Sequence, residues 1–307
     1  MATVGVLCAR GRVEEKALMA ALAEAGIVSA LFPPADEPLP VGPSPIAPCG
    51  DPFPVPQIVI DRHPNRQIAR AVLSACRALG VPALSAGLAA TGDRLDVASA
   101  LERAGLPRPR TALCTSEDAA LQAVRALGLP ATLLPLDLQS TGITLLDEDA
   151  AEAILEHRAV LGGTGQSLNL VQAGAPQAAE LVSVMVIDGV AWTAQNGHEA
   201  AASSAVRRLA EETALALGAD LIAVTLFVRG EDVLIWDVAP VPEFRHAVPL
   251  FGPDVAHLIA QAVERRLEAQ AARASQGTQT ILLEMDTAPS WISITPERML
   301  GDVVVSA

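Results

Sequence analysis

Apolar residues along this chain switch between two spacings. Short alternating or continuous apolar runs mark strands, and runs repeating every three to four residues mark helices. Within residues 1–88 the pattern predicts strands at 4–8, 28–32, 57–61 and 81–84, with helices at 14–25 and 65–79. Leu18, Leu22 and Ala25 share one face of the first helix, and Ile68, Val72, Cys76 and Leu79 one face of the second. Strand–helix alternation of this kind predicts a small parallel α/β domain. Residues 33–56 interrupt it with ten prolines, which exclude a helix or a central strand and predict a long surface loop.

The pattern then changes. Thr91 is expected to cap a helix running to Ala104, and residues 106–109 read as an extended linker. A strand at 110–114, a helix at 117–127 capped by Ser116, strands at 131–134 and 143–146 and a helix at 148–161 give a β-α-β-β-α order. Beyond a strand at 168–172, Asp188-Gly189 predicts a hairpin between strands 181–187 and 190–195. A helix at 205–217 turns Val206, Leu209, Ala210, Thr213 and Leu217 inward. A second hairpin joins strands 222–227 and 233–239 through Gly230. An amphipathic helix at 256–269, a polar linker at 275–279 and strand-like runs at 280–284 and 302–305 complete the reading.

Composition narrows the function classes. The chain has 307 residues, is 51% hydrophobic and carries a formal net charge of −14. That surface repels phosphate backbones and anionic lipid, so neither nucleic acid nor a membrane is an expected partner. No apolar run is long enough to cross a bilayer, and the strand-like start carries no basic-then-apolar leader. The four cysteines are widely spaced and read as free thiols, so the expected location is cytoplasmic. Lys16 is the sole lysine and tyrosine is absent, so every other cationic role falls to arginine.

The candidate chemistry lies in four stretches: Thr91-Gly92-Asp93-Arg94, Ala104-Gly105-Leu106-Pro107-Arg108-Pro109, Leu155-Glu156-His157 with Val160-Leu161-Gly162-Gly163, and the second hairpin, where Asp237 precedes Glu243-Phe244. In this order and spacing the chain resembles the ATP-grasp superfamily, and within it the RimK-like carboxylate–amine ligases, including those that extend an amino-adipate carrier protein. The resemblance covers about residues 1–270. It implies a mixed α/β (α+β) ATP-grasp fold in four parts. These are an N-terminal parallel α/β (pre-ATP-grasp) domain at 1–88, a central α+β subdomain at 89–166, a C-terminal antiparallel-sheet subdomain at 167–272 and an extension at 273–307. It also implies ATP and Mg²⁺ as cofactors and a homo-oligomer, dimer or tetramer.

Carried over residue by residue, the resemblance assigns nucleotide contacts to Arg94, Gln172, Ser140 and Gly142, and metal contacts to Asp237 and Glu243. Arg94 stands where the family has a lysine and keeps the charge. Elsewhere the pattern departs. Leu134 replaces a second nucleotide lysine, Ala173 a hinge glutamate, Ser183 an arginine-bearing stretch, and Thr225 and Ala239 two metal ligands. His198-Glu199 and Arg245-His246 stand nearby, and the loop after the strand at 190–195 is short. One carboxylate remains of three oxygen ligands, and Mg²⁺ needs several. The expected function is therefore non-catalytic: binding a small ligand, a carrier protein or an active ligase paralogue. The alternative is an active ATP- and Mg-dependent carboxylate–amine ligase with an altered site. No catalytic residue is assigned, and the tail is a further candidate for subunit contact.

Overall fold

The computed structural model describes residues 3–33, 39, 55–161, 168–175, 179–193, 203–244 and 255–286. The chain divides into two units, residues 1–264 and 265–307. Three four-stranded sheets lie in the first unit.

The first sheet is parallel, in the order β2-β1-β3-β4, from β1 (Thr3–Leu7), β2 (Val28–Phe32), β3 (Ile58–Asp61) and β4 (Ala83–Leu84). Helices α1 (Val13–Glu24) and α2 (Arg66–Ala78) connect its strands. Every residue of β3 is buried, as expected for a strand covered on both faces. Asn65 caps α2 by accepting from the Ile68 amide. The inward face of α2 is Ala69, Val72, Leu73 and Cys76, whereas Ile68 is 46% exposed. Helical spacing admits Ile68 to that face, but in the first turn of α2 it is Arg66 that is buried and Ile68 that stays exposed.

The second sheet is antiparallel, in the order β5-β8-β6-β7: β5 (Thr111–Cys114), β6 (Ala131–Leu134), β7 (Ile143–Leu145) and β8 (Asn169–Ala173). Helices α4 (Glu117–Leu127) and α5 (Glu148–Leu161) cover one face through Ala120, Val124, Ala151 and Leu155. Ser116 caps α4 as expected.

The third sheet runs β10-β9-β11-β12: β9 (Glu180–Ile187), β10 (Val190–Thr193), β11 (Leu221–Arg229) and β12 (Asp232–Ala239). Ile222, Val224, Leu226 and Val228 alternate into a core shared with α3 (Arg94–Arg103) and α6 (Ser204–Leu217). All five residues expected inward on α6 are buried. The alternation sends Thr225 to the opposite face.

Two expectations fail for physical reasons. Thr91 closes a short 3₁₀ turn (Gly87–Thr91), its hydroxyl donating to the Leu88 carbonyl, while Asp93 caps α3 by accepting from the Leu95 and Asp96 amides. Asp93 sits directly beside the first helical residue, so its carboxylate wins the cap. The linker at 275–279 and strand at 280–284 are instead part of α7 (Val255–Asp286). No proline interrupts that stretch, and a single glycine costs a helix only about 1 kcal/mol. The run at 302–305 and most of the proline-rich segment lie outside the described residues. Among the described residues no helix is long and apolar enough to cross a membrane.

Candidate functional site

Of the six residues assigned from sequence, Arg94, Gln172 and Asp237 converge on one cavity. Arg94 on α3, Leu134 on β6, Gln172 on β8 and Asp237 on β12 all line it, with Arg108 and Trp236 beside them. Its volume is about 40 Å³, room for a few water molecules. Small-molecule sites usually span about 300–1,000 Å³.

Arg94 explains how little is left. Gly92, at φ +81°, brings the chain so close to Arg66 that a Cβ there would lie 2.6 Å from the Arg66 Cβ. The turn delivers Arg94 against the segment that follows β6. Its amide donates to Leu136 O at 2.7 Å, and Nη1 donates to Pro135 O at 3.0 Å and to Asp137 O. Nη2 sits 3.2 Å from Asp237 Oδ2. The residue is only 7% exposed, and its Nε is buried with no hydrogen-bond partner. The guanidinium is thus a structural clamp rather than an open cation.

Asp237 is committed on both oxygens: Oδ2 to Arg94, and Oδ1 to the Val238 amide at 2.9 Å. A bulge at Trp236 sets its position, because Ile235 pairs with Leu226 while Asp237 pairs with Thr225. Ser183, Thr225 and Asp237 therefore run in register across the sheet, and Ala223 faces Ala239. Along this row stand two hydroxyls, one engaged carboxylate and methyl groups. Among the described residues no three His, Cys, Asp or Glu side chains come together as a metal site. This donor set does not fit Mg²⁺, which binds through carboxylates and phosphate oxygens in a near-octahedral shell.

Gln172 is 7% exposed. Its Oε1 accepts from the Thr111 hydroxyl at 3.3 Å, while its Nε2 is buried without a partner. Leu134 presents an apolar wall where a cation would be needed. Ser140 and Gly142 do not line the cavity. Ser140 Oγ donates to Asp137 Oδ2 at 3.0 Å, and Asp137 Oδ1 accepts from the Gln139 amide at 3.1 Å, which makes a self-capped turn. Gly142 lets β7 approach β6, since a Cβ there would meet Leu134 Cδ2 at 2.6 Å. Glu243 is exposed on the segment after β12 and does not line the cavity either. His198, Glu199, Arg245 and His246 lie outside the described residues.

Sequence reasoning missed a second charged cluster, at the carboxyl ends of β1 and β3. Asp61, fully buried, pairs with Arg66 at 2.5 Å, and Arg66 also donates to His63 O and Ala90 O. Arg62 is held between Glu14 and Glu15. The thiol of half-buried Cys8 is raised to about 11, chiefly by burial, then by the Glu15 charge, with Arg62 pulling the other way. The available signal was Asp61-Arg62-His63-Pro64-Asn65-Arg66 directly after a continuous apolar strand, at the sheet end where α/β folds place ligands. An open groove of about 550 Å³ adjoins the cluster, lined by Arg66, Arg70, Asp93 and Asp137 among others.

Comparison with known proteins gives a consistent picture. No family model matches the chain. A RimK-domain ATP-grasp protein from Sphaerobacter thermophilus is 30% identical, with a TM-score of 0.69 over 85% of this chain and 99% of that one. The ATP-grasp ligase PsnB, in complex with minimal precursor, Mg and ADP, is 15% identical, with a TM-score of 0.62 over 86% of this chain and 98% of its own. The D-alanine–D-alanine ligase of Bacillus anthracis in complex with ATP is 14% identical, with a TM-score of 0.60 over 89% of this chain and 100% of its own. The last two resemble the chain in fold alone.

Proposed function

The chain belongs to the ATP-grasp superfamily, and from that premise we propose that it is a non-catalytic member that works by binding. One observation carries this reading. Arg94, at the head of α3, spends its guanidinium on Pro135 O, Asp137 O and Asp237, and so occupies both itself and the carboxylate that would serve a metal. The remaining departures point the same way. Leu134 offers phosphate no charge, and Thr225 and Ala239 offer a metal one hydroxyl between them. Removing a single stabilising group from a catalytic site of this kind slows the reaction by roughly two to three orders of magnitude. The fold keeps its cores without those groups, so selection for binding alone is sufficient to maintain it.

The binding partner in this reading is a small ligand, a carrier protein or an active ligase paralogue, and the working form is a homo-oligomer. Nucleic acid and anionic membranes are disfavoured by the net charge of −14. ATP and Mg²⁺ belong to the competing reading, an active carboxylate–amine ligase. That reading draws support from the convergence of Arg94, Gln172 and Asp237 on one cavity.

The deciding assay is ADP release from Mg·ATP by the purified full-length chain, with a panel of carboxylates and amines. The expected result is release at the buffer rate. Turnover that Arg94→Ala abolishes would establish the ligase instead.

A further inference from the structure

The segment after β12, residues 240–244, is anchored on the N-terminal parallel sheet. Arg62, the first residue beyond β3, donates Nη1 to Pro242 O, and its guanidinium carbon lies 4.9 Å from the centre of the Phe244 ring. Glu14 spans the joint. Its Oε2 takes Arg62 Nη2, and its Oε1 accepts from the Phe244 amide at 2.7 Å. Glu15 holds the other edge of the guanidinium through Nε at 3.4 Å and caps α1 by accepting from the Arg12 amide at 3.0 Å. Arg62 is 3% and Phe244 2% exposed. A buried guanidinium, two carboxylates, a ring and two main-chain groups thus tie the end of the hairpin to the first turn of α1.

The same strand is anchored once more, a few residues upstream, where Asp237 meets Arg94. Between the two anchors run only Val238, Ala239, Pro240 and Val241, and the last ladder pairing is Ala239 with Ala223. An extended chain advances about 3.3–3.6 Å per residue and has little slack over so short a span. The Arg62 anchor does not slacken gradually, because a buried charge-assisted bond that is stretched leaves a desolvated charge behind, while at the upstream anchor Arg94 is buried and Asp237 is 35% exposed.

We propose that Arg62, with Glu14 and Phe244, forms a strap that holds β12 in register with Arg94, so that the N-terminal sheet and the cleft at Asp237 open and close as one unit. Arg62 is a positioning residue in this device. It touches nothing in the cleft and acts through residues 238–242. The strap operates whether or not nucleotide enters the cleft.

Hydrogen exchange of the full-length chain tests it, together with quenching of Trp236 in a Trp192→Phe, Trp291→Phe background. Trp236 adjoins Asp237, and its ring lies 4.6 Å from that of Phe227. Phe244→Ala removes the ring without leaving a buried charge. Its expected effect is exchange about tenfold faster in residues 235–244 and a clear rise in acrylamide quenching of Trp236, with the amides of β1 and β3 unchanged. Arg62→Lys keeps the charge but loses the fork, and should fall between wild type and Phe244→Ala. Acceleration confined to residues 241–244 would overturn the strap, as would equal loss of protection in β1 and β3, which marks a plain core residue. Should Arg62→Lys fail to fold, Phe244→Ala decides alone.

Discussion

Arg94 Nη2 lies 3.2 Å from Asp237 Oδ2 across 143 positions of sequence, and this pair closes the cleft between α3 and β12. The two partners are not equal. Arg94 also serves two main-chain carbonyls, whereas the Asp237 side chain is 35% exposed and keeps water as an alternative. Arg94→Ala should therefore cost about 2–4 kcal/mol, because it strands Pro135 O and Asp137 O. Asp237→Asn should cost about 1 kcal/mol or less, the value of a partly solvated pair. Urea denaturation of the two variants checks the order. Equal losses would mean that the ion pair, not the carbonyl clamp, holds the segment.

Asp61 and Arg66 form the most deeply buried ion pair among the described residues, with side chains 0% and 3% exposed. Removing one partner leaves a desolvated charge. Asp61→Ala should destabilise by about 3–5 kcal/mol, and the double change Asp61→Ala with Arg66→Met should recover part of that loss. Denaturant midpoints of the single and double variants measure the recovery.

Two glycines with positive φ separate conformation from space. At Gly230, φ +61°, an added Cβ meets nothing within 4 Å, so Gly230→Ala should cost about 1 kcal/mol for conformation alone. At Gly92, φ +81°, the Cβ would meet the Arg66 Cβ at 2.6 Å. Gly92→Ala should therefore cost at least about 1–3 kcal/mol more, since it moves the Asp93 cap and Arg94 together. Thermal unfolding of both variants gives the comparison.

The thiols carry a pH signature. Burial raises Cys76 from 9.0 to about 11, and burial followed by the Glu15 charge raises Cys8 likewise. The folded state holds these protons more tightly than the unfolded chain. This contribution to stability is complete below about pH 9 and is lost as pH rises toward about 11. Urea midpoints should fall across that window, and less steeply in Cys76→Ala. At pH 8 native Cys8 should react with iodoacetamide far more slowly than in urea; equal rates would contradict the shift.

Much of this fold is legible in the residues because its signals are local. The inward face of α6 follows from helical spacing, and the β11–β12 hairpin follows from two apolar runs around Gly230. The Ser116 cap is legible for the same reason. The site is legible only as a set of positions. The family resemblance assigns Arg94 and Asp237 to one cleft but does not show that each has the other as partner. Arg62 and Pro242 are 180 positions apart, and no local pattern in either segment encodes their hydrogen bond. The full length of α7 is hidden because the polar composition at 275–279 resembles a linker, while the absence of proline is the signal that lets the helix continue.

The most direct measurement is calorimetric titration of the full-length chain with Mg²⁺ and a non-hydrolysable ATP analogue. With Arg94 and Asp237 committed to each other, no saturable heat is expected at millimolar ligand. A dissociation constant in the micromolar range, about −8 kcal/mol of binding free energy, would contradict this: it would mean that nucleotide displaces the Arg94–Asp237 pair and that the cleft still performs the work of its relatives.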